Sequence, residues 1–401
     1  MSKPKLRFPE FSSEWSELEL GDIVVENIEP IPMPKTGYTR VGIYCHAKGT
    51  FQEYVPEGKG LDVDVMYVVH KDNLIVNITF AWEHAIAITK PEDEGKIVSH
   101  RFPTYKFIEG HLPEFYRYLI LDKRMEYHLM VASPGGAGRN RVLNKTEFLK
   151  IPVYVPEIKE QKKIADAISS IDDVIALVEK EVVLWEEKKK GVMQKIFSRK
   201  VRFKNEDGSD YPEWEEQEIR NLGEFIKGAP LSKADISETG TPFILYGELY
   251  TTYNEVAYEI RRKTKAIVED KYYSRMGDVV IPTSGESAEE ISTSTCVMKE
   301  GVILAGDLNI FRSNVLDGRV MSYILNCQAK NKIAQIAQGK SIVHIQAKEL
   351  GRVKIQYPTD SQEQEKIADF LSSMDDVIQI KKLKLEIWKN IRKGLLQQMF
   401  V

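Results

Sequence analysis

The sequence predicts a duplicated mixed α/β (α+β) protein, with two globular regions at opposite ends of a long antiparallel two-helix coiled coil and a pseudo-twofold axis between the halves. Two observations predict it. The stretch EQKKIADAISSIDDVI (Glu160 to Ile175) returns as EQEKIADFLSSMDDVI (Glu363 to Ile378), an offset of 363 − 160 = 203 residues. The copy continues beyond those words, with Trp185 mapping to Trp388, Lys190-Gly191 to Lys393-Gly394 and Phe197 to Phe400. The second observation is length, because 401 residues exceed one typical compact domain.

Taken in order, the elements divide as 1–150 (first globular region), 151–198 (first helix), 199–356 (second globular region) and 357–401 (second helix). Both globular regions open alike, on Arg7-Phe8 and Trp15 in the first and Arg202-Phe203 and Trp214 in the second. They also close alike, on RVLNKTEFLKIPVYVP and VHIQAKELGRVKIQYP. Between those ends little matches. Strand-like runs such as NLIVNITFAW, AIAIT, GDVVIPT and GVILAGDLNIF alternate with a helical stretch in each region, PEFYRYLILDKRMEYHLM and VMSYILNCQAKNKIAQIA.

Heptads define the helices. Ile164, Ile171, Val178, Trp185 and Val192 recur every seven residues, and Ile168, Ile175, Val182 and Ile196 form a second seam. The copy keeps Ile367, Met374, Trp388 and Leu395 on one seam, with Leu371, Ile378, Leu385 and Met399 on the other. Pro156 and Pro358 precede the helices, and acidic first turns suit their dipoles. The first helix is expected from about 158 to 197, roughly 60 Å at about 1.5 Å per residue. Lys189, Lys381 and Arg392 interrupt the seams as side chains expected to snorkel at the edge. Trp185 and Trp388 are expected to pack between the helices, leaving outward positions and the ends near EKKKG and IRKG for partners.

Composition narrows the classes. No run of about 18 apolar residues could span a membrane, and the N-terminus lacks the apolar stretch of a secretory signal. Cys45, Cys296 and Cys327 form no CxxC pair, which argues against structural zinc and suits a reducing, cytoplasmic compartment. Net charge is −4. Residues 1–150 carry 19 Lys+Arg against 21 Asp+Glu, and 198–360 carry 22 against 24, so neither half is a basic domain. Any nucleic-acid face must be a local patch or be completed by a partner.

A constant EQxKIAxxxSSxDDxI helix, repeated after two divergent regions that each open on F…EW…LG, resembles the specificity subunit of type I restriction-modification systems. The resemblance covers essentially the whole chain. It implies two target-recognition domains, each reading one half of an interrupted, asymmetric site in double-stranded DNA, with the helix pair fixing the gap. It further implies docking of modification (methyltransferase) subunits, two of them, which bring S-adenosylmethionine, and of restriction/translocase subunits that use ATP and Mg. The chain itself is then expected to be non-catalytic and to hold no cofactor and no metal.

Candidate DNA contacts follow from residue type. In the first region they are Lys35, Tyr38 and Arg40 in PKTGYTR, and Arg139, Asn140 and Arg141 in GGAGRNR, where glycines allow close approach and Arg and Asn can bind base edges in pairs. In the second they are Tyr250, Tyr253, Arg261, Arg262 and Lys263, beside Tyr246, and Lys340 and Ser341 in QGKSIVH. Ser284 in PTSGES is another, with a turn as its ordinary reading. A solvated loop, or for the tyrosines a half-buried strand, explains the same residues without DNA. The rival class is a coiled-coil adaptor with protein-binding end domains. Catalytic look-alikes fail: the GKS at Gly339 lacks its upstream glycine, which is Ala334, and no HExxH or Asn-Pro-Pro-aromatic run occurs.

Overall fold

The computed structural model describes residues 3–135, 141–337 and 343–400. It divides into two compact units, Met1–Glu179 with Lys384–Val401 (unit one) and Lys180–Leu383 (unit two). The long helices Ile158–Phe197 and Ser361–Met399 each contribute to both.

Unit one is closed at its base by an antiparallel ribbon, Ser16–Glu19 with Pro152–Val155, which places the domain's entry beside its exit. Above it stands a four-stranded antiparallel sheet ordered Val24–Glu26, Thr104–Phe107, Asn73–Val76, Ile86–Ile88. A five-stranded sheet built on Tyr38–Ile43 and Thr50–Val55 lies outside. Helices Pro113–Leu119 and Lys123–Val131 cover the first sheet, the second capped by Asp122, whose carboxylate accepts from Arg124 N. Trp15, Phe115, Tyr116 and Phe148 fill the core together with Ile164, Ala165 and Ile168 of the first long helix and Met399 and Phe400 of the second.

Unit two repeats this plan. Its ribbon is Glu215–Glu218 with Lys354–Tyr357, and its sheet runs Glu224–Lys227, Leu308–Arg312, Asp278–Pro282, Thr295–Val297 with the same antiparallel neighbours. A short parallel strand, Val256–Ala257, is added at the edge. The core takes Ile367, Ala368 and Leu371 from the start of the second long helix and Met193, Ile196 and Phe197 from the end of the first. The central sheets therefore share a topology that the divergent sequences between the repeated ends did not display.

The repeated words act as clamps. Arg7 grips the fully buried Glu160 with two bonds of 2.7 Å, and Arg202 grips Glu363 at 3.2 and 3.0 Å, joined there by the Trp214 indole N–H at 3.1 Å. Gln161 accepts from Leu112 N and donates to the carbonyls of Gly110 and Pro156. Gln364 does the same with Asp317 N and the carbonyls of Val315 and Pro358. About three turns further on, Tyr118 donates to Asp172 (3.1 Å) and Tyr323 to Asp375 (2.7 Å). Burial raises both phenols, Tyr118 to about 12.

Within each unit the long helices pair antiparallel. In unit one Asp172 meets Arg392 and Glu179 meets Lys389; in unit two Glu181 meets Lys381, Glu186 meets Lys382 and Asp375 meets Lys189. The buried seam includes Ile164, Ile168, Val178, Val182, Ile367, Leu371, Met374 and Ile378. Ile171, Ile175, Trp185, Leu385, Trp388 and Leu395 are only half-buried, because the pair has solvent on its flanks. Lys189 corrects the snorkelling expectation. It is buried, bonded to Asp375 and to Glu255 (2.6 Å), and covered by the Tyr323 ring. A lysine four methylenes long stays inside when two carboxylates await it there.

On the outer sheet of unit one, His70 lies between Glu94 (3.1 Å) and Glu29 (2.8 Å). Its hydrogen bond to Glu94 is the largest influence on its pKa; burial opposes it, and the bond to Glu29 together with the charges of both carboxylates leaves the pKa raised.

Two outcomes follow. Glu160→Ala strands the Arg7 charge in a nearly dry site, so unit one should lose about 3 kcal/mol in urea unfolding, whereas Glu10→Ala, at the exposed pair with Lys163, should cost under about 1 kcal/mol. For His70, raised in the folded state, the stabilisation is fully present below the unfolded value near 6.5 and fades as pH rises through the folded value. His70→Gln should flatten that part of the stability profile, which calorimetry between about pH 6 and 8 would read.

Candidate nucleic-acid interface

In unit one, one end of the central sheet gathers three connections. The chain leaves strand Asn73–Val76 through Asn77 to Phe80 and the 3-10 turn Ala81–Glu83. Ile78 N donates to Arg101 O (3.0 Å), and Leu143 N donates to Ile78 O (2.8 Å). Those bonds lay the segment after Ile97–Val98 and the segment that starts at Arg141 on either side of one loop.

Side chains then set that loop. The buried Asn77 carboxamide oxygen accepts from both Thr79 N (3.1 Å) and Thr79 Oγ1 (2.9 Å), an Asx turn. The Trp82 indole N–H donates to Thr79 O (3.1 Å), which fixes the ring, and the Arg141 guanidinium lies over that ring at 5.6 Å. His84, held in the left-handed region at φ 61°, bonds Ile120 O at 2.7 Å, and burial lowers its pKa. Phe80 and Arg101 are exposed. Neither Arg101 nor Arg141 forms an ion pair with a described carboxylate, whereas Arg7, Arg40 and Arg124 all do. The result is a small cationic, aromatic tip on a domain with no net positive charge.

The other candidates of this region fall elsewhere. Lys35 and Tyr38 stand at the start of Tyr38–Ile43, whose far end leads to His46 and Ala47 beside Glu83 and His84. A six-residue strand separates them from the tip, about 20 Å. Arg40 is neutralised by Glu53 at 2.8 Å, its cross-strand partner, and the Tyr38 hydroxyl is buried without a partner. Arg139 and Asn140 lie outside the described residues.

Unit two builds the corresponding end from different chemistry. Ile345 N donates to Thr283 O (3.0 Å), as Leu143 does to Ile78. Ser284 is buried in a two-residue strand paired with Val343–His344, and it donates to Asp307 at 3.0 Å, so its ordinary reading as a turn is corrected. Tyr246 and Tyr250 pack edge to face at 6.4 Å, and burial pushes the Tyr250 phenol up to about 12. These tyrosines belong to a 3-10 turn and its exit rather than to a strand. Tyr253 accepts from Arg261 N (3.1 Å), and Arg262 is paired with the buried Glu248 at 2.8 Å, which removes its charge from the candidate set. Arg261 and Lys263 remain exposed; Lys340 and Ser341 lie outside the described residues. Among the described residues of this end stand Glu286, Glu289 and Glu290, with Glu289 paired to Lys330 at 3.4 Å.

Sequence reasoning missed Arg101, Phe80 and Trp82. The run NITFAW reads as strand, and only the bond across to Arg101 reveals that it becomes a loop at Asn77. No cluster of three or more His, Cys, Asp or Glu suited to a metal occurs among the described residues. The open clefts along the long helices, about 930 Å³ at Lys189 and Asp375 in unit two and about 690 Å³ at Asp172 and Arg392 in unit one, are floored by ion pairs already satisfied.

A family model described as the type I restriction modification DNA specificity domain matches residues 12–182 and 211–387. Two specificity subunits of Methanocaldococcus jannaschii are similar to the chain. The putative type I restriction enzyme MjaX specificity subunit is 25% identical, covering 98% of this chain and 94% of that protein. The MjaVIII specificity subunit is 22% identical over 70% and 68%. Among solved structures, the HsdS subunit from Thermoanaerobacter tengcongensis aligns with a TM-score of 0.51 at 16% identity, over 100% of this chain and 99% of that one. The S subunit from M. genitalium aligns with a TM-score of 0.58 at 13% identity, again over 100% and 99%. At such identities these two structures speak for the fold.

Proposed function

Because the chain belongs to the type I restriction modification DNA specificity family, we propose that it reads a bipartite, asymmetric DNA target on behalf of a restriction-modification complex and carries out no chemistry itself. One observation carries this reading: an identical frame supports unlike tips. The clamp residues Arg7, Glu160 and Gln161 recur as Arg202, Glu363 and Gln364, on matching central sheets, while the loops at the sheet ends change from Arg and Trp to Ser, Tyr and Glu. Two modules that keep a scaffold and vary its edge suit two different half-sites. The adaptor reading explains the scaffold but not the unpaired arginines at the tip of unit one.

The partners in this reading are double-stranded DNA, two modification subunits that bring S-adenosylmethionine, and restriction subunits that use ATP and Mg. Exposed apolar side chains on the long helices offer the modification subunits a place to dock: Leu177, Ile387 and Ile391 in unit one, and Leu184, Ile380 and Leu383 in unit two. Apolar groups that face solvent on otherwise charged helices mark a covered surface. No helix among the described residues is long and apolar enough to cross a membrane, and the cytoplasm is the compartment that fits a DNA-reading subunit.

Co-expression with the neighbouring modification subunit, followed by genome-wide mapping of methylated adenines, should yield one interrupted motif with unlike halves. Methylation that is absent, or unchanged when this chain is omitted, sinks the role. In the same system Leu184→Glu with Ile380→Glu should reduce co-purification of the modification subunit at least tenfold while leaving this chain's thermal midpoint within a few degrees.

A further inference from the structure

We infer that Arg141, held on the Trp82 ring, reads a guanine in the half-site bound by unit one, and that Asn77, Thr79 and Trp82 are the residues that position it. The inference rests on the DNA-reading role proposed above and names the contact through which that role is exercised.

Three features of the tip lead to it. First, Arg141 is half-buried and oriented yet carries no counter-charge among the described residues. Other oriented arginines of this chain, such as Arg7, Arg202 and Arg312, spend their N–H groups on buried carboxylates. A cation half-buried against a ring and without a carboxylate keeps its N–H groups available to an acceptor from outside.

Second, the support is built in a chain of bonds. Asn77 sets Thr79, Thr79 O holds the Trp82 N–H, and the Trp82 face holds the guanidinium, while the bond from Leu143 N to Ile78 O ties the backbone just beyond Arg141 to the same loop. With its guanidinium carbon 5.6 Å from the indole centroid and no bond to a described acceptor, Arg141 keeps the N–H groups of its planar fork available. That fork matches two acceptors at once; a phosphate also offers it two oxygens, but a phosphate contact carries no preference for one base, so the base dependence of the motif separates the two.

Third, among the base edges of the major groove, the pair of acceptors that fits this fork is O6 and N7 of guanine. Arg101, exposed on the neighbouring segment with Ile78 between it and Leu143, is placed for a backbone phosphate beside that base. The corresponding end of unit two has no arginine on the described loops around Thr283 and Val343. The effect should therefore be confined to one half-site.

The test uses the full chain with its modification subunit and the methylated-adenine map as readout. The wild type should show a guanine in one half of the motif. Arg141→Lys keeps the charge and loses the fork; it should make that single position degenerate, with the preference for guanine falling about tenfold or more, and leave the other half intact. Trp82→Phe retains a ring but loses the Thr79 anchor and should relax the same position to a smaller degree. A role in folding alone would instead lower occupancy at every site without changing the motif. An Arg141→Lys map identical to wild type, or a uniform loss at all sites as a phosphate contact would give, overturns the inference. A motif relaxed in both halves overturns it too. A wild-type complex that leaves no interrupted motif overturns the DNA-reading role, and the guanine contact with it.

Discussion

Everything else in each half depends on one buried carboxylate in the first turn of a long helix. Glu160 and Glu363 are stripped of water, and such a charge is tolerable only because Arg7 and Arg202 reach them with paired, charge-assisted bonds. The arginine comes from the domain's entry, and the neighbouring Gln161 or Gln364 bonds the backbone ahead of a domain helix and the proline carbonyl at the domain's exit. Entry, interior and exit are thereby tied to the same helical turn. Removal of the carboxylate would release the entry and leave the glutamine alone to hold the interior and the exit.

That fixation explains how one chain can carry two differently shaped ends. With both termini of a domain pinned beside the helix and a four-stranded sheet standing on the ribbon, the loops at the far end of the sheet contribute little to closing the fold. They are free to change. In unit one they hold Arg101, Phe80, Trp82 and Arg141; in unit two they hold Ser284, Asp307 and a run of glutamates. The near-neutral charge of both halves loses its force as an objection to nucleic-acid binding, because what matters locally is not the sum but which cations lack partners.

The frame was legible because its signals are short-range and repeated. Heptads placed Ile164, Ile168, Ile367 and Leu371 in a seam, and all four are buried against domain cores as well. The same logic failed at Lys189, since periodicity records that a lysine sits on a seam and not that Asp375 and Glu255 come to meet it from 186 and 66 residues away. The tip was half legible. Residue type and glycine spacing pointed to Arg141, but its platform depends on Trp82, 59 residues earlier by 141 − 82, and on a backbone bond that no pattern encodes. Composition likewise made Arg262 look available, when a buried Glu248 had already taken its charge.

A duplicated helix raises a further problem, because each copy could pair with itself in another chain as readily as with its sibling. The offset of 203 residues shows what disfavours it. Lys389 corresponds to Glu186 and Lys382 to Glu179. Where Glu179 meets Lys389 at 2.9 Å and Glu186 meets Lys382 at 2.7 Å, a pair of first helices in the same register would set Glu179 against Glu186 twice, and a pair of second helices would set Lys382 against Lys389 twice. The inner pairs do not discriminate, since Arg392 and Lys189 are both cations and face Asp172 and Asp375 in either arrangement. Each exposed contact is worth only about 0.5 kcal/mol, yet two attractions replaced by two repulsions amount to about 2 kcal/mol against self-pairing. The apolar seam, kept nearly the same in both copies, supplies affinity; the charges beside it, opposite in the two copies, supply the choice of partner.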